Sequence, residues 1–313
     1  MIIITGSSGF IAGSLVRTLV AKKINNIVLC DFINNNLHES PLTFIEVHKL
    51  FQFIENNKDS IDLIYHLGAI TDTTCTDEIL LNKYNLEFSI SLWNYCVEYS
   101  ISLIYASSAA TYGDGNFGFF DDHSKIEKLT PLNLYAKSKH DFDEFVLKQI
   151  KTPPSWFGLK FFNVFGFDES KKNKMSSIVY QAFNTIIEFN EMYLFKSYDK
   201  NYKNGFQERD FVYIDDVVNV LIFLINNTKS GIYNLGSGKA TTFIKLTEKV
   251  FHSMKISPNI KFIEMPIYLR EKYQYSTKAN ISKLRSIGYD NSFKNISDAV
   301  DDYISNYLMK NVN

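Results

Sequence analysis

The N-terminal run "IIITGSSGFIAGSL" limits the fold more than any other stretch of the chain. Four residues built for a strand (2–5) pass directly into a glycine-marked turn, and the turn passes directly into a helical pattern. Gly6, Gly9 and Ala12 give G-x-x-G-x-x-A. Gly6 permits a tight turn, Gly9 admits an anion close to the backbone, and Ala12 lets the helix lie near the strand with its first amides facing that anion. A plain structural turn is the alternative. The placement after an N-terminal strand favours a dinucleotide diphosphate.

The rest of the chain repeats the alternation. "IIIT" (2–5), "NIVLC" (26–30), "LTFIEV" (42–47), "DLIYHL" (62–67), "SLIYAS" (102–107) and "GLKFFNV" (158–164) read as buried strands. Helical patterns near 10–23, 49–57, 78–99 and 133–150 lie between them. Strands apolar on both faces fit a parallel sheet covered on both sides, so the expected class is α/β, a doubly wound Rossmann-type sheet. After residue 165 the pattern changes. A helix near 175–190, a short strand "MYLF", a polar insertion at 198–206, then "FVYI", "GIYNLGSG" and helices near 241–254, 279–287 and 295–309 follow. The expected division is a dinucleotide-binding domain at 1–165 plus about 209–237, and a smaller mixed α/β substrate lobe at 166–208 and 238–313.

A formal net charge of −1 and the lack of a dense Lys/Arg block argue against nucleic acid as a partner. The three cysteines and six histidines are scattered, so neither a disulfide framework nor a metal site is expected. Met1 leads into "IIITG" without a basic n-region, and the most apolar run, "VVNVLIFLI", is too short to cross a bilayer of about 30 Å. A cytoplasmic protein with no membrane partner is expected.

Asp31 ends the second strand, where a carboxylate commonly accepts from the adenosine ribose hydroxyls, an arrangement that ordinarily favours NAD. The next loop, "FINNNLHES", has no Lys or Arg for a 2′-phosphate. Lys49 either folds back to meet one or stands as a solvated helix residue. Gly68 and Ala69 leave room for a cofactor to cross the strand tips, or simply pack tightly. Asn85 reaches that loop from its helix or lies at the surface.

The fifth strand enters "YASSAATYG", which brings Ser107, Ser108 and Thr111 to the tips of the sheet. In "PLNLYAKSK", Tyr135 and Lys139 stand one helical turn apart on one face. A free phenol has a pKa near 10, and a close cation lowers it. Such a phenol beside a nicotinamide removes an alcohol proton while the carbinol hydride leaves for the ring, and Ser108 holds the same oxygen. The alternative is i, i+4 decoration of a surface helix.

Together these three elements resemble the extended short-chain dehydrogenase/reductase superfamily. More finely, "ASSAATYG", "PLNLYAKSK", "FFNVFG", "NGFQERDFVYIDDV", "GIYNLGSG" and "EKYQYSTKANISKLRSIGYD" are similar, in order and over essentially the whole chain, to blocks of the ADP-L-glycero-D-manno-heptose 6-epimerase family. The resemblance implies a nucleotide-sugar substrate epimerised at C6 for the lipopolysaccharide core. It also implies resident NADP (or NAD) and a ring-like homo-oligomer of pentameric form. Inverting C6 by redox requires the sugar's terminal arm to swing about C5–C6, so one phenol cannot serve both epimers and a second acid/base is expected. Aligned without gaps between "FFNVFG" and "KMSS", the family's lysine falls on Lys172. By itself Lys171, Lys172 and Lys174 read as a charged, solvent-facing loop.

The resemblance therefore implies Ser108, Tyr135, Lys139 and Lys172 as catalytic. Phe10, Ile11, Phe32, Leu67, Thr71 and Lys172 become further cofactor contacts beside Gly6, Gly9, Asp31, Lys49, Gly68, Ala69, Asn85, Tyr135 and Lys139. Ser108, Asn163, Lys174, Gln181, Phe195, Arg209 and Tyr273 become substrate contacts. Arg209 also has a physical case, since its planar fork suits a diphosphate; the alternative is an ion pair with Asp210, Asp215 or Asp216. Phe32 stands where relatives often carry asparagine, Gln181 where some carry histidine, and Lys160 for a frequent arginine. A UDP-hexose 4-epimerase would share the cofactor residues but gives no reason for Lys172. A sugar 4,6-dehydratase needs an Asp-Glu pair that "SSAATYG" lacks. A non-catalytic dinucleotide-binding protein needs no phenol–lysine couple.

Overall fold

A computed structural model describes residues 1–34, 42–270 and 273–311, apart from the side chains of Lys171, Asn173, Lys174 and Asn311. The first strands are β1 (Ile2–Thr5), β2 (Ile27–Asp31), β3 (Thr43–Glu46), β4 (Leu63–His66), β5 (Ser102–Ser108) and β6 (Trp156–Phe161). They are followed by β7 (Asn163–Phe165), β8 (Met192–Phe195), β9 (Glu208–Tyr213), β10 (Gly231–Leu235), β11 (Ala240–Thr242) and β12 (Ile260–Ile263). The helices of the first half are α1 (Phe10–Ala21), α2 (Leu50–Asn57), α3 (Glu78–Leu81), α4 (Phe88–Glu98), α5 (His123–Ile126) and α6 (Leu134–Leu147). Those of the second half are α7 (Ile178–Phe189), α8 (Ile214–Phe223), α9 (Phe243–Ser253), α10 (Ile267–Arg270), α11 (Ser282–Ser286) and α12 (Ile296–Tyr303).

Seven strands form one sheet in the order β10-β6-β5-β4-β1-β2-β3, and every pairing in it is parallel. Successive strand residues point to opposite faces, and both faces are apolar. Ile4, Leu29, Tyr65 and Ile104 pack with α1 and α8 on one side. Ile3, Val28, Ile64 and Leu103 pack with α2, α4 and α6 on the other. This is the doubly wound α/β sheet expected from the alternating runs. Strand order reverses between β1 and β4, which opens a crevice at their carboxyl ends.

Three expected elements come out differently. "GLKFFNV" is not one strand: β6 ends at Phe161, the Phe162 N–H turns to Leu235 O at 3.0 Å, and β7 leaves for a second sheet. That sheet has the order β11-β9-β7, while β12 and β8 make a separate parallel pair. Of the segment near 210–235, only β10 returns to the large sheet. The helix expected over 78–99 is interrupted by a π turn at Asn82–Glu87, a feature that often marks a functional site. Among the described residues no helix is long and apolar enough to cross a membrane.

One polar cluster lies inside the layer between α6 and the sheet. Asp143 of α6 and Lys160 of β6 are both fully buried and 2.6 Å apart. The Asp143 carboxylate also accepts from Ser107 Oγ at 2.7 Å and from the Tyr105 hydroxyl at 3.0 Å. The Lys160 ammonium also donates to Thr111 Oγ1 at 2.5 Å. Gly158 makes room for this arrangement, since a Cβ there would fall 2.3 Å from the Tyr105 hydroxyl oxygen.

Removing one partner leaves the other's charge in a dry site. Asp143→Ala is therefore expected to cost about 3–5 kcal/mol in urea unfolding. A loss below about 1 kcal/mol, the scale of an exposed pair, would show that the cluster does not hold α6 in place.

Candidate active site

The turn after β1 is closed by two glycines from different strands. Gly6 has φ +68°, and a Cβ on it would fall 2.5 Å from the Cα of Gly68 at the tip of β4. Gly9 precedes the first turn of α1, and no side chain caps that turn, so its amides remain open to an anion. At the end of β2, Asp31 braces this turn: its two oxygens accept the Ser8 N–H at 2.8 Å and the Phe32 N–H at 2.7 Å. Phe32 stands largely exposed and edge-on to Tyr84, their ring centroids 5.4 Å apart.

Behind the crevice, hydrogen bonds link β1, β4 and the π turn. Gly68 N–H donates to Thr5 Oγ1 at 3.3 Å, and Thr5 Oγ1 lies 2.8 Å from His66 Nδ1. Ser89 Oγ donates to Asn85 O at 2.7 Å, which leaves it to accept from His66 Nε2 at 2.9 Å. His66 is then the neutral Nε2–H tautomer, with Thr5 donating to Nδ1. Burial, with the charge of Lys139 second, pushes its pKa down to about 3. Asn85, expected to touch the cofactor, is buried behind the loop it supports. Its amide takes the Ile70 N–H at 2.8 Å and donates to Ile70 O and Ser138 Oγ, each at 3.0 Å.

The reactive trio comes from β5 and α6. Asn133 caps α6 by accepting the Ala136 N–H at 2.8 Å, which starts the helix one residue before Tyr135. Tyr135 and Lys139 both line the crevice, as does Ser108 at the end of β5. The lowered phenol expected from the adjacent cation is absent. Burial raises the Tyr135 pKa, against the opposing effect of a hydrogen bond with Ser108. The Lys139 ammonium donates to Ala106 O at 2.9 Å. Burial lowers Lys139 itself to about 8, with Asp143 opposing.

The crevice is also lined by Asn163, exposed at the start of β7, and by Lys172. The Lys172 ammonium sits 5.0 Å from the centroid of Phe10 at the head of α1. It is partly buried and faces inward, not out to solvent as a bare charged loop would suggest; burial lowers its pKa, and Glu169 opposes that shift.

Gly6, Gly9, Phe10, Ile11, Asp31, Phe32, Leu67, Gly68, Ala69 and Thr71 share this crevice of about 1160 Å³ with the four catalytic candidates and Asn163. The other candidates lie elsewhere. Lys49 is at the surface, paired with Glu46 at 3.1 Å, although Val47 of the same turn lines the crevice. Gln181 is exposed on α7 and donates to Ser176 O at 2.7 Å. Phe195 ends β8, and its carbonyl accepts from Gln207. The Lys174 side chain falls outside the described residues.

Tyr273 lines a second cavity of about 730 Å³, together with Asp199, Asn201 and Tyr202 from the 198–206 insertion. Arg209 lies between the two spaces, its guanidinium 5.6 Å from the Phe243 ring of the crevice and 5.2 Å from the Tyr273 ring. The alternative ion pair with Asp210 does not form, because that carboxylate is taken up by Ser237, Gly238 and Ala279.

A nicotinamide dinucleotide fits these residues. The Gly6–Gly68 contact clears the backbone for a diphosphate, and the uncapped α1 amides face it. Ser108, Tyr135 and Lys139 stand at the far end of the same crevice. Sequence reading missed Thr5, His66, Tyr84 and Phe243 as residues lining it. Only the placement of Thr5 and His66 at strand ends signalled them.

The comparisons agree with this geometry. Residues 2–236 match the model of the NAD dependent epimerase/dehydratase family. The chain is 41% identical to the ADP-L-glycero-D-manno-heptose-6-epimerase of Fusobacterium nucleatum, across 99% of this chain and 98% of that one. The crystal structure of the Helicobacter pylori ADP-L-glycero-D-manno-heptose-6-epimerase superposes with a TM-score of 0.82 at 26% identity, covering 97% and 95% of the two chains. A UDP-N-acetylglucosamine 4-epimerase from Methanobrevibacter ruminantium, 20% identical, shares the fold with a TM-score of 0.84 over 99% and 98%. The chain belongs to the NAD dependent epimerase/dehydratase family.

The neutral His66 sets an acid limit on stability. Its folded pKa lies below the unfolded one, so between pH 6.5 and about 3 the unfolded chain binds the extra proton and stability falls as pH falls. Urea unfolding across that window should show His66→Gln losing less stability on acidification than the parent, by about 4 kcal/mol at the acid end. Parallel curves for the two proteins would refute the neutral assignment.

Proposed function

We infer that this chain is an ADP-L-glycero-D-manno-heptose 6-epimerase, interconverting the D-glycero and L-glycero forms of the nucleotide sugar by transient oxidation at C6. The full-length likeness to proteins of that name carries the reading, and the gathering of Ser108, Tyr135 and Lys139 in one crevice supplies its chemistry. When bound, the nicotinamide accepts a hydride from C6 and later returns it. Ser108 holds the C6 oxygen, and Tyr135 takes its proton. Lys139, anchored on Ala106 O, supplies the positive charge that a developing phenolate needs. After the arm turns about C5–C6, the oxygen faces Lys172, which exchanges the proton for the other epimer. Arg209 and Tyr273 flank the space open to the nucleotide, and Arg209 offers a diphosphate its fork.

The choice of NADP over NAD is part of this proposal, and two residues near the β2 end bear on it. Asp31 spends both oxygens on backbone N–H groups of its own turn, so a ribose hydroxyl is not its only partner. Lys49, two residues beyond Val47, is the cation placed to meet a 2′-phosphate by exchanging Glu46 for it. NADP is the expected form.

Two measurements check this reading. Denatured protein should release NADP; release of NAD would overturn the 2′-phosphate assignment, and release of neither would overturn the redox scheme. Incubation with ADP-D-glycero-D-manno-heptose should invert C6, seen by NMR. Tyr135→Phe should slow this by about a hundredfold or more. Inversion of a UDP-hexose in its place would favour the 4-epimerase reading.

A further inference from the structure

The loop that carries Lys172 contains a carboxylate with no part in the chemistry above. Glu169 is fully buried. It accepts the Ser177 N–H at 2.6 Å, the Ser177 hydroxyl at 2.8 Å and the Gly166 N–H at 3.3 Å. Tyr303 of α12 hydrogen-bonds to the same carboxylate. Gly166 and Ser177 are the two ends of the segment, so one side chain closes the loop on itself. Its outer side is held separately: Arg17 of α1 pairs with Asp168 at 3.1 Å and lies over the Phe167 ring.

Burying a carboxylate is costly, and a neutral side chain of similar shape usually packs as well. An amide would not serve here. It would turn an N–H₂ toward either the Ser177 or the Gly166 N–H and leave a buried donor unpaired. The charge also faces Lys172, three residues on and directed into the crevice beside Phe10. The segment is thus a closed ring with a cation at its apex and the matching anion at its base.

We propose that Glu169 is a positioning residue: by tying Gly166 to Ser177 it sets the apex of the loop, and with it the Lys172 ammonium, at the crevice wall. This rests on the reading of Lys172 as the second acid/base. A displacement of about 1 Å at such a group costs about a hundredfold in rate. The loss should fall on the half-reaction that uses Lys172 and spare the one that uses Tyr135.

The test uses protein with its own bound cofactor, offered each epimer separately in a single turnover, with nicotinamide reduction read by absorbance. Lys172→Met should abolish reduction by one epimer and spare the other. Glu169→Gln should slow reduction by that same epimer about ten- to a hundredfold, leaving the other epimer's rate near the parent's. Hydrogen exchange over 166–177 should rise in Glu169→Gln and not in Lys172→Met. If Glu169→Gln does not fold, Tyr303→Phe removes one donor from the far side and should show the same selectivity. A Glu169 variant that slows both epimers equally, or neither, while Lys172→Met stays selective, overturns the positioning role alone. A Lys172→Met that is not selective overturns the assignment of Lys172, and the role of Glu169 falls with it.

Discussion

Asp143 and Lys160, an ion pair sealed from water between α6 and the sheet, are the contact on which the geometry of the site depends. Charges buried this deeply are tolerated only when their remaining hydrogen-bond capacity is filled, and here Ser107, Tyr105 and Thr111 fill it. The partners come from β5, from β6 and from the turn that follows β5. Tyr135, Lys139 and Asp143 lie four residues apart along one stripe of α6. Fixing the third member of that stripe fixes the rotation of the helix about its axis, and so the direction in which the phenol points. Ser107 accepts this restraint one residue before Ser108, so both reactive hydroxyls are referred to the same anchor.

The same burial that orders the site sets its resting charge state. Tyr135 is held protonated, and the Lys139 ammonium donates a hydrogen bond to a backbone oxygen. In the proposed reaction, a phenol in that state would act as an acid toward a ketone before it acts as a base toward an alcohol. For a reaction that must run the same step in both senses, this is no disadvantage.

The central sheet could be read from the chain because buried parallel strands leave continuous apolar runs, and the phosphate turn because glycines mark it. That Tyr135 and Lys139 share one face could be read because their spacing is local, and that Ser108 meets them in one crevice because β5 ends there. What escaped was set by contacts distant in sequence. Nothing in "FFNV" marks Phe162 as the point where β6 stops, since both faces of the run are apolar whichever sheet they join. The π turn at 82–87 has no signature of its own; it shows only as Asn85 turned inward onto Ile70. The direction of the Tyr135 shift was misjudged because helical spacing places two side chains on one face without fixing which neighbour each one chooses. Lys139 took Ala106 O, thirty-three residues away, and burial raised the phenol.

The two cavities differ in a way that matches a ligand with unlike ends. The crevice is walled by glycine turns and aromatic rings and holds the redox groups, whereas the second cavity mixes Asp114, Asp199 and Asn201 with tyrosines. Tyr202 lies tilted against Tyr275 at 5.1 Å, Tyr275 meets Tyr273 edge-on at 5.3 Å, and the guanidinium of Arg209 lies over Tyr273. This row of rings begins in the 198–206 insertion and ends at the cation between the cavities. A longer loop there does not loosen the site, because its backbone is tied down: Ser197 N–H donates to Asn204 Oδ1, and Tyr198 N–H to the Tyr275 hydroxyl. Among the described residues the cation is half-buried, lies over two ring faces and donates to Glu208 O, and the charge of the Glu208 carboxylate also acts on it. A planar guanidinium in that setting offers its fork to an anion.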